Sequence, residues 1–146
     1  MVEVKKFKIS HLEDLLREPQ NEYLVGYLKY ENLETMEKNG LNYSIFCVET
    51  KQVLFCGGVS EYWKGRGECW AVFHHNVRSK FVQIHRCVLR YFEMCPIKRI
   101  EATVKYDFKE GHRWIKALGF TLEAPRLRFY YPNGDDVSLY SRVKED

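Results

Sequence analysis

Five titratable side chains in this sequence are placed where they could move a proton. His74 and His75 follow an apolar run that predicts a strand, and His112 lies near the start of the last predicted helix. An imidazole titrates near neutral pH, so it acts as a general base with little tuning of its pKa. Glu61 and Glu101 lie on predicted strands. A structural role is the alternative for each: loop histidines at a core edge, His112 packed beside a tryptophan, and strand carboxylates on the solvent face.

A basic loop connects the strand before His74 to a predicted helix. The loop and the helix start comprise Asn76, Val77, Arg78, Ser79, Lys80 and Phe81. Backbone N–H groups and the dipole of a helix N-terminus attract anions such as phosphate, and the charges of Arg78 and Lys80 act in the same direction. This segment contains no glycine. The alternative is an ordinary strand-to-helix loop with solvated basic residues.

The cysteines and histidines show no metal-binding spacing. The five cysteines are Cys47, Cys56, Cys69, Cys87 and Cys95. No two of them form a CxxC pair, and no histidine is followed by such a pair, so the sequence predicts no metal centre. An odd number of cysteines in apolar runs favours reduced thiols, with Cys69 as a buried apolar side chain rather than a nucleophile.

Length and composition predict one domain over residues 1–146. The chain is 45% hydrophobic, which is enough for one core. Its 23 basic and 20 acidic residues leave a net charge of +3, which argues against a nucleic-acid partner. No signal-peptide pattern and no run of about 20 apolar residues is present. We therefore expect a soluble cytoplasmic protein with no membrane partner.

The first half predicts a strand and two helices, followed by strands. Residues 2–9 alternate as a strand, Ser10 and Glu13 match a capping box, and helices are predicted at 11–17 and 23–36. Three antiparallel strands follow at residues 43–48, 53–59 and 68–73.

The second half predicts two helices that alternate with strands. A helix over 81–95 ends at Pro96, and a strand over 99–106 precedes a helix over 109–118 that Gly119 terminates. A closing hairpin is predicted from strands 122–131 and 137–143 around the turn 132–135. The fold class is α+β, with about seven strands in a mixed, mostly antiparallel sheet and about four helices.

This order of elements is similar to that of the GNAT (N-acetyltransferase) superfamily over nearly the whole chain. The segment Trp114 to Phe120 resembles the Leu-Gly-Phe junction after the last helix of that family. Small GNAT-like proteins of bacteriophages and prophages are also similar in four segments. These are residues 99–104, 111–114, 118–120 and 139–143. A phage or prophage origin is what the resemblance implies.

The resemblance implies a site for acetyl-CoA. In the GNAT fold the fourth and fifth strands splay apart, and the exposed backbone of the fourth strand pairs with the pantetheine arm. The corresponding residues here are Trp70, Ala71, Val72 and Phe73, and residues 76–81 would hold the pyrophosphate. The family's loop has small glycine-like positions, whereas this loop has none.

Catalytic positions of the family are replaced in this chain. Where the resemblance implies a tyrosine acid, the sequence has Ile115, and Asp107 follows the strand that often ends in asparagine. The substitutes for proton transfer are His112, Glu61 and His74. The resemblance thus implies acetyl transfer to an amine of a protein or small molecule. The alternative is a catalytically inactive GNAT-fold virion or host-interaction protein.

An aromatic cluster suggests a further surface. Its members are Tyr23, Tyr27, Tyr30, Tyr62, Trp63, Phe129, Tyr130 and Tyr131. These side chains could line an acceptor groove, form a contact in a homodimer or with another protein, or form a core edge.

Overall fold

A computed structural model describes residues 1–21, 24 and 30–145, apart from the side chains of residues 30 and 31. In it the chain divides into two compact units. The first comprises Met1–Ser60 and Trp70–Met94, and the second comprises Glu61–Cys69 and Cys95–Asp146. No described helix has the length and apolar character needed to cross a membrane.

Seven strands form one mixed sheet, which confirms the predicted fold class. The strands are β1 (Val2–Lys6), β2 (Asn42–Cys47), β3 (Val53–Trp63), β4 (Arg66–Phe73), β5 (Arg99–Lys105), β6 (Thr121–Leu127) and β7 (Val137–Val143). Their order is β1-β2-β3-β4-β5-β7-β6. Strand β4 pairs with β5 in parallel, whereas the β1/β2, β2/β3, β5/β7 and β6/β7 pairs are antiparallel.

Four α-helices accompany the sheet in the part of the chain that the structure describes. They are α1 (Ile9–Leu16), α2 (Tyr30–Lys38), α3 (Phe81–Met94) and α4 (Lys109–Ala117). A 3-10 turn, Arg78–Lys80, leads into α3. Of the second predicted helix, the part from 30 onward is observed as α2, and residues 22, 23 and 25–29 lie outside the described residues.

The predicted capping box at Ser10 is wrong. Helix α1 already begins at Ile9, and its N-cap residue Lys8 makes no side-chain capping bond. Instead, Ile9 N–H donates to Glu37 Oε2 of α2 at 2.9 Å. A carboxylate at a helix start satisfies a free N–H and interacts well with the helix dipole, so a neighbouring helix supplies the cap.

The strand predicted over 122–131 is also shorter than expected, since β6 ends at Leu127. Phe129 has a φ of 51°, in the left-handed region, and cannot continue the strand. Its N–H donates to Asp136 Oδ1 at 2.8 Å, which closes the loop before β7.

Each unit has its own buried residues. In the first, Phe7, Leu12, Leu15, Val53 and Val72 belong to one cluster, against which Trp70 packs. In the second, the buried apolar side chains include Ile100, Ala102, Ile115, Phe120 and Tyr140. Val72 therefore anchors the end of β4 in the core of the first unit.

The Leu-Gly-Phe junction forms a Schellman motif after α4. Gly119 N–H donates to Lys116 O at 3.0 Å, and Phe120 N–H donates to Ile115 O at 3.2 Å. Gly119 has a φ of 89°, which glycine adopts without the steric cost that a Cβ brings. The buried Phe120 then leads directly into β6.

We expect Gly119→Ala to lower the free energy of unfolding by about 1–2 kcal/mol, because an L-residue pays that cost in the left-handed region. Gly119→Asn should lose less, since asparagine tolerates this conformation better. Urea denaturation of both variants measures the difference. Equal losses would show that backbone conformation is not the cause.

Candidate functional site

The end of strand β4 contains Trp70–Phe73, the residues predicted to pair with the pantetheine arm. Its parallel register with β5 covers Arg66–Glu68 opposite Arg99–Glu101. Strand β4 continues to Phe73, and residues 70–73 belong to the first unit.

One hydrogen bond shows to which side the backbone N–H and C=O groups point at the end of β4. His74 N–H donates to Leu54 O of β3 at 2.8 Å. Because polar backbone groups alternate along a strand, Trp70 and Val72 also direct theirs to β3, and Ala71 and Phe73 direct theirs to the opposite edge. Of these residues, Ala71 is exposed and Val72 is buried.

Side chains of β4 hold this edge in place. Trp70 Nε1 donates to Asn42 Oδ1 at 2.7 Å, and its ring meets Phe7 edge-on at 5.6 Å between centroids. The buried side chain of Asn21 donates to Phe73 O at 2.9 Å and to Leu15 O at 3.0 Å. The segment after α1 is thereby tied to the last residue of β4.

The predicted phosphate loop leads into a helix, as expected. Among its residues, Asn76, Arg78 and Ser79 are exposed, and Val77, Lys80 and Phe81 are half-buried. The charge of Lys80 interacts with that of Glu49, whose pKa is lowered to about 2, chiefly by a backbone hydrogen bond. Phe81 lies at 6.4 Å from Phe73 between ring centroids.

His74 and His75 both contact the carboxylate of Glu18. His74 Nε2 lies 3.3 Å from Glu18 Oε2, and His75 Nδ1 hydrogen-bonds to the same oxygen. The other oxygen accepts His75 N–H at 3.1 Å and Gln20 Nε2 at 3.0 Å. Burial raises the pKa of Glu18, but hydrogen bonds from His75 and Gln20 outweigh it, and the net shift is downward.

Glu101 departs from the expectation of a solvent-facing strand charge, because it is only 8% exposed. Its carboxylate accepts Arg66 Nε at 2.6 Å and Arg99 Nε at 2.8 Å. These hydrogen bonds, that of Arg66 first, lower the pKa of Glu101 despite its burial. Glu101 therefore serves the strand pairing as a counter-ion.

His112 lies in the second unit with both ring nitrogens occupied. Nε2 lies 2.9 Å from Tyr106 O, which only accepts, and Nδ1 lies 2.8 Å from the hydroxyl of Tyr140. Nε2 must therefore carry the proton, and Nδ1 accepts from the Tyr140 hydroxyl. Glu61, exposed on β3, accepts Gly65 N–H at 3.1 Å beside the turn to β4.

Ile115 and Asp107, the positions where the resemblance implies catalytic residues, differ in burial. Ile115 is 6% exposed on α4 and packs among the apolar residues of the second unit. Asp107 is exposed directly after β5.

The aromatic cluster is exposed where it is described. Tyr62, Trp63, Phe129, Tyr130 and Tyr131 are between 37% and 76% exposed. Arg66 lies over the rings of Tyr62 and Trp63, at 5.0 and 4.6 Å from their centroids. Tyr23 and Tyr27, and the side chain of Tyr30, lie outside the described residues.

Sequence reasoning missed Glu18 and Asn21. Both follow α1, 57 and 52 residues before their partners at the end of β4. No local pattern marks either residue, because the contact exists only once the chain has folded.

Solved structures with the same fold are acetyltransferases. A probable acetyltransferase from Staphylococcus epidermidis superposes with a TM-score of 0.76 at 9% identity, over 99% of this chain and 100% of that one. The ribosomal-protein-S5-alanine acetyltransferase of Vibrio fischeri gives 0.73 at 14%, over 99% and 94%. The chain has the GNAT acetyltransferase fold.

A third structure was solved with ligands. Spermidine N-acetyltransferase from Vibrio cholerae, in complex with CoA and spermine, gives a TM-score of 0.69 at 14% identity, over 97% and 95% of the two chains. No protein-family model matches this sequence. No curated protein matches it either.

The His112 contact predicts a matched pair of stability effects. His112→Ala leaves the hydroxyl of Tyr140, a residue only 2% exposed, without this partner and should cost about 1–3 kcal/mol. Tyr140→Phe removes the same bond and should cost about 1 kcal/mol. Chemical denaturation measures both, and wild-type stability in both variants would contradict the contact.

The carboxylates of Glu101 and Glu123 predict that the fold loses stability in acid. Hydrogen bonds from Arg99 and then Ser141 lower the pKa of Glu123 to about 2, and the pKa of Glu101 is lowered too. A carboxyl with a lowered folded-state pKa stabilises the fold above its unfolded pKa, and this stability is lost as the pH falls from about 4.5 toward 2.

We expect Arg99→Gln to reduce the loss of unfolding free energy between pH 6 and pH 3.5 by on the order of 1 kcal/mol. Arg113→Gln, at an exposed position of α4, is the control and should lose as much as the wild type. Urea titrations at the two pH values measure this. Identical losses in all three proteins would refute the assignment.

Proposed function

We propose that this chain is an acetyl-CoA-dependent N-acetyltransferase that acts on an amine of a protein or small molecule. The observation that carries the proposal is how β4 ends. Its parallel register with β5 extends to Glu68, while the strand runs on to Phe73 and leads through a short loop into a helix. The fold supports the same activity.

The backbone of Ala71 and Phe73 fits a slender amide-containing arm. Both residues direct their polar groups away from β3, and Ala71 adds little bulk at an exposed position. We propose that the pantetheine arm pairs along Trp70–Phe73 like an added strand. Because Asn21 already donates to Phe73 O, we propose that the arm pairs chiefly with the backbone of Ala71.

The pyrophosphate is proposed to lie at the helix start, with Arg78 as its main cation. N–H groups in the first turn of a helix have no partner within the helix, and they bind phosphate oxygens readily. Arg78 is exposed, whereas the charge of Lys80 is partly balanced by Glu49. Asn76, Val77, Ser79 and Phe81 complete the proposed binding segment.

Acetyl-CoA supplies the acetyl group as a thioester. The amine must lose a proton as its nitrogen forms the C–N bond and the C–S bond breaks, and the departing thiolate takes up a proton. The arm would run from its thiol end near Trp70 to its phosphate end near Arg78. His74 lies about 13 Å along the chain from Trp70, and both ring nitrogens of His112 have partners. Glu61 is therefore the candidate that we propose for the base.

A second candidate function has support from the loop at residues 74–80, which contains no glycine. The family's loop has small glycine-like positions where the backbone approaches the phosphates, and Ile115 stands where the family has a tyrosine acid. A protein with this fold that no longer binds acetyl-CoA, such as a phage virion or host-interaction component, is therefore the alternative. In either case we propose a cytoplasmic protein, with a homodimer or a protein partner as further possibilities.

Calorimetry with acetyl-CoA tests the proposal. Arg78→Ala should weaken binding by about 1.5–3 kcal/mol, the value of a charge-assisted contact, or roughly 10- to 150-fold. Arg90→Ala removes an equally exposed arginine three turns along α3 and should bind as the wild type does. No binding at millimolar acetyl-CoA would reject the enzyme in favour of the alternative, and equal affinity of both variants would refute the pyrophosphate placement.

A further inference from the structure

Three side chains at the end of β4 form a cluster that the proposed acetyl transfer does not use. The ligand atoms of Glu18, His74 and His75 all lie within 4.8 Å of one another. Within this cluster, His74 Nε2 is 3.3 Å from Glu18 Oε2, and His75 Nδ1 contacts the same oxygen. All three residues belong to the first unit.

This donor set matches the preferences of zinc. Zn²⁺ takes imidazole nitrogens and carboxylate oxygens at about 2.0–2.2 Å, and a tetrahedral site of that size spaces its ligand atoms about 3.3 Å apart. The Glu18–His74 separation already has this value. Three protein ligands leave a fourth position for water, as in open zinc sites.

Two hydrogen bonds to Oε1 orient the carboxylate of Glu18. Gln20 Nε2 and His75 N–H donate to Glu18 Oε1, so Oε2 is directed at the two rings. Outer hydrogen bonds of this kind hold metal ligands in place. The side chains of Glu18 and His74 are 13% and 14% exposed, whereas that of His75 is 65% exposed, so one side of the cluster is open to an entering ion.

We propose that the chain binds one Zn²⁺ through Glu18 Oε2, His74 Nε2 and His75 Nδ1. The absence of metal-binding spacing in the sequence does not bear on this site, because Glu18 comes from a distant segment. Each imidazole binds through a lone pair, so the His75 proton moves from Nδ1 to Nε2 and the His74 proton moves from Nε2 to Nδ1.

The proton on His74 has a structural consequence. Asn76 N–H lies 3.0 Å from His74 Nδ1, which accepts its hydrogen bond in the metal-free protein. Once Nδ1 carries a proton, this bond breaks and the Asn76 amide turns away. Zinc binding therefore rearranges the loop just before the 3-10 turn at Arg78–Lys80.

Titration of the metal-free protein with Zn²⁺ against a chromophoric chelator tests the proposal, with no acetyl-CoA present. We expect saturable binding of one ion per chain, since three protein ligands and one open position make a zinc site. Glu18→Gln, His74→Gln and His75→Gln should each weaken binding by at least about tenfold.

Matched controls are Glu13→Gln, an exposed carboxylate of α1, and His85→Gln, an imidazole of α3. Both should bind zinc as the wild type does. Circular dichroism confirms that each variant is folded, and His75→Gln tests the site even if Glu18→Gln unfolds, since His75 is largely exposed.

The Asn76 amide provides a second readout. In ¹⁵N–¹H spectra its resonance should shift on addition of Zn²⁺, and the shift should be absent in His74→Gln. Less than half an ion per chain, or unchanged affinity in folded His74→Gln and His75→Gln, would overturn the proposal. Neither result depends on whether acetyl-CoA binds.

Discussion

The parallel pairing of β4 with β5 depends on the buried carboxylate of Glu101. The register places Arg66 directly opposite Arg99, so two cations face each other across neighbouring strands. Glu101 accepts hydrogen bonds from both. Removing it would leave two like charges opposed, which destabilises a strand pair, and Glu101 therefore holds the two strands together where they meet.

What lies beyond this pairing determines which groups of β4 a ligand can use. Val72 is buried in the core of the first unit, and Trp70 is hydrogen-bonded to Asn42, so their side chains fix the strand whose other edge we propose as the binding edge. Recognition by backbone requires a strand in the right place rather than a particular side chain. Such a site leaves little trace in the residue types, and it is recognised mainly from the fold.

The loop after β4 is held from the opposite direction by the segment after α1. Asn21 donates a hydrogen bond to Phe73 O, and the carboxylate of Glu18 contacts the rings of His74 and His75. These contacts bring a carboxylate and two imidazoles together at the end of β4, with Glu18 and His74 largely buried and His75 exposed. Any change in the protonation or ligation of His74 must then affect Asn76, whose N–H it accepts, and the two ends of the loop are coupled.

The elements of the second half were predictable because their signals are local. Apolar spacing marks α3, alternation marks β5, and the glycine of Leu-Gly-Phe marks the end of α4, where the Schellman bonds involve residues within five positions of one another. The cap of α1 and the end of β6 were not predictable. Each depends on a residue of another element, Glu37 for Ile9 and Asp136 for Phe129.

By itself the sequence determined where most strands and helices form, since periodicity, turn residues and helix starts act between near neighbours. Its resemblance to the GNAT superfamily implied residues 70–81 as the candidate binding segment. Only the tertiary structure decided the surroundings of the titratable groups. It buried Glu101 between two arginines, occupied both nitrogens of His112, and brought Glu18 to histidines more than fifty positions away. Burial and long-range pairing depend on the path of the whole chain, and no local pattern encodes that path.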